Sequence, residues 1–163
     1  MNGCGSVALY VYGKPVTQGS MSAFPYQGKD GKIHASVTHK NKNLKPWREQ
    51  VSWSLTEAWA GPVVEGPVCV HAHFRMQRPK CHFGTGSNAY VVKPSSPTSH
   101  TQMPDVDKLV RAILDAATGV VFKDDKQVTE IHTSKEWVEK DEGVLIWIET
   151  EKLEAQDARI FTE

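Results

Sequence analysis

Two short acidic groups, Pro104-Asp105-Val106-Asp107 and Lys123-Asp124-Asp125-Lys126, are the residues of this chain best suited to chemistry. Ionised carboxylates are hard oxygen donors, and an oxygen-only shell is what magnesium or manganese prefers. In mid-helix, Asp105 and Asp107 would point roughly 200° apart. At a helix start, Asp105 can take a capping position off the helical path, and both carboxylates can converge in front of the terminus. Asp124 or Asp125, brought back by the following loop, can then complete the shell. Each pair also has an ordinary structural account: aspartate caps helices and complements their dipole, and Lys-Asp-Asp-Lys makes a common turn. Either pair alone would be read that way, whereas the two together point to a divalent-metal site.

The element that must position them is a helix. Val106, Leu109, Val110, Ile113, Leu114 and Ala117 recur at the spacing of one buried helix face. Asp107, Arg111 and Asp115 stand in a row on the other side, where Arg111 and Asp115 fit a surface ion pair worth about 0.3 to 0.5 kcal/mol. Gly119 suits the left-handed residue that closes a helix, and the run to Phe122 leads into the second acidic pair.

Taken with Arg111, Asp115-Ala116, Thr118-Gly119-Val120, Lys123-Asp124-Asp125 and Gln127-Val128, the motif resembles the signature of the RusA family of Holliday-junction resolvases, often encoded by phages and prophages. The resemblance is specific over residues 104–128; elsewhere only the order of elements agrees. It implies that Asp105, Asp107 and Asp125 bind magnesium, which manganese can replace, with Asp124 auxiliary. It also implies a homodimer acting on four-way junction DNA. Arg111 stands where the family has a lysine and keeps the charge but not the titratable amine. Lys108 stands where the family usually has asparagine, which leaves the metal ligands intact.

With 163 residues the chain is long enough for one compact domain, here residues 1–163. Its three cysteines, Cys4, Cys69 and Cys81, form no paired framework, and no basic region followed by a long apolar run opens the chain. A reducing cytoplasm, in a bacterial cell or a phage-infected host, is the expected location. No apolar stretch approaches the roughly 20 residues that span a bilayer, so no membrane partner is expected. Net charge is zero but unevenly spread: residues 1–104 hold 11 Lys and Arg against 4 Asp and Glu, and residues 124–163 hold 5 against 12. Such asymmetry allows a basic face for phosphates.

In chain order, Ser6 to Tyr12 reads as a first strand, and Met21 to Tyr26 with Ile33 to Thr38 as a hairpin turning at Asp30-Gly31. Its basic tip and the stretch that follows, with Lys40, Lys42 and Lys45, suit phosphate contacts. Pro46 suits the first turn of a helix whose apolar stripe is Trp47, Val51, Leu55, Ala58 and Trp59. Val68, Val70, Ala72 and Phe74 alternate with Cys69, His71, His73 and Arg75 in a half-buried strand. Cys69, His71 and His73, followed by Cys81-His82, have zinc-ligand chemistry but none of the usual zinc spacings, so the strand is read as a polar face with Arg75 available for phosphate. Residues 77–102, rich in Gly, Pro and Ser and without Asp or Glu, read as a flexible DNA-contacting loop with Arg78, Lys80 and Lys93 as contacts. Lys108 joins these candidates. Gln127 to Lys135 and Gly143 to Thr150 read as strands joined by a charged connection containing Trp137, the last one buried on both faces. Residues 151–163 form an acidic tail.

The expected fold is therefore α+β: a single domain with a mixed or mostly antiparallel β-sheet packed with two main helices, which agrees with the RusA resemblance. The expected function is metal-assisted phosphodiester hydrolysis, with Arg111 adding charge near the transition state and a two-fold dimer matching the junction's symmetry. Two other readings stand beside it. One is a non-catalytic module recognising branched DNA, which gains nothing from carboxylates that repel phosphate; the other is a metal-dependent nuclease acting on flaps or forks.

Overall fold

The computed structural model describes residues 5–19, 21–39 and 41–150, with side chains at 21–24 and 35–39 outside that description. Cys4, Lys40 and the acidic tail at 151–163 lie outside the described residues. Strands β1 (Ser6–Tyr12), β4 (Val68–Gln77), β5 (Val128–Val138) and β6 (Gly143–Thr150) form one sheet in the order β1-β6-β4-β5. Strands β2 (Met21–Gln27) and β3 (Ile33–His39) pair separately as the expected hairpin, with Gly31 at φ 73° in its turn. The four-stranded sheet is mixed: β1 and β4 run antiparallel to β6, whereas β4 and β5 are parallel. A parallel pair needs a long crossover. Here it carries α2 (Val106–Ala117), which packs beside α1 (Leu44–Ala58).

One face of the sheet makes the core. Val68, Val70, Ala72, Phe74 and Met76 of β4, with Val144, Ile146 and Ile148 of β6, are buried with Leu44, Trp47, Val51 and Leu55 of α1 and Leu109, Val110, Ala112 and Ile113 of α2. Burying side chains of this size contributes roughly 1.5 to 3 kcal/mol each. Ala58 is exposed and Trp59 only partly covered, so the α1 stripe ends a turn earlier than its spacing suggests. Among the described residues no helix packs on the opposite face of the sheet. Leu145 (43 % exposed) and Trp147 (41 %) lie there, which corrects the expectation that β6 is buried on both faces. Its apolar alternate residues reflect an aromatic outer surface. β5 also runs longer than expected and takes in Trp137.

The loop that follows β4 is not structureless. It holds single-turn 3-10 helices at Lys80–His82 and Gly86–Asn88 and an isolated bridge between Phe83 and Val92. No described helix is long and apolar enough to cross a membrane.

Candidate active site

α2 begins at Asp105, whose backbone is extended (φ −71°, ψ 137°) as a cap position requires, and whose carbonyl accepts from Leu109 N (3.2 Å). Its carboxylate does not cap. It accepts instead from the Lys108 ammonium at 2.6 Å, an interaction that sequence reading did not anticipate. That hydrogen bond, then the charge behind it, holds the Asp105 carboxyl below the usual carboxylate range, with Lys135 adding to the effect. Asp107 is exposed in the first turn, where the positive end of the helix dipole favours a negative charge. Arg111 is exposed one turn further along, on the same side of the helix as Asp107 because residues four apart stack. Asp115 pairs with Arg48 of α1 at 3.4 Å, not with Arg111. The helix pair thus claims the carboxylate that sequence spacing had offered to Arg111.

The approach to Asp105 is fixed by β5. Lys135 donates to the carbonyls of Gln102 (2.7 Å) and Pro104 (2.8 Å), which ties a lysine to the first residue of the acidic motif although 30 residues separate them in sequence. Two residues along the strand, Trp137 donates from Nε1 to Ser99 O at 3.1 Å. The imidazole of His100 lies 4.0 Å from the Trp137 ring, His82 meets it edge-on at 5.0 Å, and the Arg78 guanidinium lies 5.8 Å above it. Arg78 also donates to Pro97 O at 2.9 Å, and Lys93 to Cys81 O at 3.0 Å. The candidate flap is thereby drawn onto β5, and two of its cations serve the loop's own backbone. His100 is buried, which disfavours its charged form, and the Lys135 ammonium pushes its pKa down further. Lys135 and Trp137 were missed in the sequence because their partners lie in a segment without periodicity.

The second acidic group stands elsewhere. α2 ends at Thr118, and Gly119 (φ 79°) turns the chain so that its N–H reaches Phe122 O at 2.7 Å. Gln127 then donates to the carbonyls of Val64 (2.9 Å) and Gly66 (2.8 Å), holding this segment beside the C-terminal end of the helix. Asp124 caps the short 3-10 helix Asp125–Gln127: it accepts from Lys126 N at 3.1 Å, which keeps its carboxyl below the usual range, with the Lys126 ammonium 3.3 Å away. Asp125 is exposed beside it. Twelve residues of helix, roughly 18 Å, separate the two ends. Within one chain the loop therefore does not bring Asp124 or Asp125 back to Asp105 and Asp107, contrary to the expectation from sequence.

A sequence profile described as Endodeoxyribonuclease RusA matches residues 14–149, most of the chain. The chain belongs to the RusA family. Membership makes it a relative of endodeoxyribonucleases. The RusA-type chain is also 29 % identical over 137 residues to the uncharacterized protein YqaN of Bacillus subtilis strain 168, covering 82 % of this chain and 89 % of that one.

The candidate DNA contacts are spread over the RusA domain. Lys42 and Lys45, the latter 3.7 Å from Glu49, line a groove of about 1310 Å³ between α1 and the C-terminal half of α2, together with Arg48 and the 69 % exposed Trp53. Lys80 is exposed on the loop, and Lys108 is paired with Asp105. Arg75 lies on the outer sheet face, 3.6 Å from Glu136 and over the Tyr10 ring, away from α2. Of the sulfur and nitrogen ligands noted in the sequence, Cys69 and His71 stay together, whereas His73 bonds Ser134 (2.8 Å) and Cys81 and His82 lie on the loop.

Proposed function

We propose that the protein is a magnesium-dependent, structure-selective endodeoxyribonuclease that resolves Holliday junctions by paired symmetric cuts, acting as a homodimer in the cytoplasm of a bacterial cell or phage-infected host. The observation that carries this reading is the pair Asp105 and Asp107 at the exposed start of α2 in a chain of the RusA family. The donor set fits a hard divalent cation: it is all oxygen, it stands at the surface, and Asp105 already holds a cation, the Lys108 ammonium, at 2.6 Å. When bound there, magnesium, or manganese in its place, supplies charge stabilisation at the scissile phosphate and acidifies water.

The protein's own residues do the rest. Asp105 and Asp107 hold the ion, Arg111 adds a positive charge beside the phosphate, and Lys135 fixes the chain that presents Asp105. Lys40, Lys42, Lys45 and Lys80 contribute phosphate contacts, whose effect weakens with salt. Asp125 stands at the far end of α2, so its carboxylate joins Asp105 and Asp107 from a second copy of the chain. A two-fold pair then carries two complete sites, as the symmetry of a four-way junction requires.

The experiment is cleavage of a synthetic four-way junction in magnesium, beside a matched linear duplex, flaps and forks. Symmetric nicks in the junction alone support the reading. Binding without cutting, in magnesium or manganese, would replace it with a recognition module; equal cutting of flaps or forks would replace it with a broader nuclease. Mixing the inactive Asp107→Asn and Asp125→Asn proteins tests the shared site. Mixed dimers regain one intact site only if the carboxylates come from different copies, and no recovery sinks that arrangement.

A further inference from the structure

On the outer face of the sheet, four metal-binding side chains from two strands meet. Cys69 and His71 alternate onto that face from β4, and Glu130 and His132 do so from β5. In the parallel pairing, Glu130 is the direct partner of Cys69 and His132 of His71, so the four residues form a two-by-two array. The ligand atoms of Cys69, His71 and His132 all lie within 4.8 Å of one another, the one such trio among the described residues. Cys69 Sγ is 3.3 Å from His71 Nε2 and 3.9 Å from Glu130 Oε2, and His132 Nε2 is 3.2 Å from the same carboxylate oxygen. The imidazoles stack at 4.6 Å, and the Trp147 indole covers the other side of His71 at 4.7 Å.

We propose that Cys69, His71, His132 and Glu130 form a zinc site, separate from the carboxylates of α2. In a tetrahedral shell with zinc–ligand lengths of roughly 2.0 to 2.3 Å, neighbouring donor atoms stand roughly 3.3 to 3.8 Å apart. Three of these separations, 3.2, 3.3 and 3.9 Å, bracket that spacing, and the Cys69, His71 and His132 donor atoms all lie within 4.8 Å. A thiolate with two imidazoles selects a borderline or soft cation such as zinc and rejects magnesium, which prefers oxygen. Cys69 is buried and His71 partly buried against the Trp147 indole, whereas Glu130 and His132 stand at the surface, so an ion can reach the cluster from the β5 side. Its consequence is mechanical: β5 is the sheet's edge strand, and the ion would clamp it to β4 between the Asp124-Asp125 turn and Lys135.

The test uses the full-length protein, reduced and freed of metal, titrated with cobalt as a spectroscopic stand-in and then with zinc. One equivalent should bind with a thiolate-to-cobalt charge-transfer band, and zinc should displace it while excess magnesium does not. Cys69→Ser should abolish the band. His132→Gln, at an exposed position that does not threaten folding, should weaken zinc binding by at least the about 10- to 100-fold that loss of even an outer partner costs. Cys81→Ser and the Asp105→Asn, Asp107→Asn double variant should keep the band. No binding, a band that survives Cys69→Ser, or unchanged affinity in His132→Gln would overturn the site.

Discussion

The two regions proposed to hold a cation are built in opposite ways. At the start of α2, Asp105 and Asp107 are neighbours in sequence, one partly and one fully exposed, and oxygen-only. On the outer sheet face, buried Cys69 and partly buried His71 meet exposed Glu130 and His132 across some 61 residues of chain, through sulfur, nitrogen and one carboxylate oxygen. Local geometry is enough to set the Asp105 and Asp107 pair side by side, since a helix start holds its first residues at fixed offsets. The second exists only because two strands pair in one register. A slip of one residue would turn Glu130 and His132 to the other face. The irregularity between Val68 and Cys69 sets that register and places Glu130, not Thr129, opposite Cys69. Sites of the first kind announce themselves in a motif; sites of the second kind do not.

The sharpest way to break the comparison is Asp107→Asn. It should lower junction cleavage in magnesium by at least about a hundredfold, the scale of removing one positioned group that stabilises a transition state. The cobalt band of the sheet site should not move in the same protein, because no ligand is shared. If both readouts fall together, the regions are not independent.

Lys135→Met probes what connects them, since β5 carries His132 and Lys135 alike. Loss of two charge-assisted hydrogen bonds to Gln102 and Pro104 should cost about 1.5 kcal/mol in a urea melt and loosen the segment before Asp105. An unchanged melt with unchanged cleavage would show that the loop holds itself.

Lys108→Asn is a smaller and opposite effect. Removing the ammonium that competes for Asp105 should lower the magnesium concentration needed for half-maximal cleavage severalfold, measured by titration at fixed junction concentration. A higher requirement would assign Lys108 to the DNA instead.

The smallest effect is in acid. Asp105 and Asp124 are held below the ordinary carboxylate range, by Lys108 and by the Lys126 N–H respectively. A depressed carboxyl contributes stability that is fully present above its unfolded pKa and is lost as pH falls through the folded value. Wild type should therefore lose slightly more stability than Lys108→Asn as pH drops below the ordinary carboxylate range. Parallel curves would show that the pair contributes nothing in solution.

Much of the fold was legible because periodicity reports burial directly. The α2 stripe, the Gly119 stop, the Asp30-Gly31 hairpin and the strands at Ser6–Tyr12 and Gly143–Thr150 follow from spacing and turn chemistry alone. The candidate site was legible as residues but not as an arrangement. Sequence placed Asp105 at the cap, yet it did not show that Lys108 takes its carboxylate, that Arg48 takes Asp115, or that α2 keeps Asp125 away.

The sequence by itself therefore determined which side chains are available and which local elements present them: two acidic groups on either side of one amphipathic helix. The tertiary structure decided who meets whom. Strand pairing placed β5 beside β4, gave Lys135 and Trp137 to the loop, and assembled the Cys69 cluster. The physical reason is range. Helix and turn preferences act over about four residues, whereas register and packing are set by burial of a whole sheet face, which no short window of sequence contains.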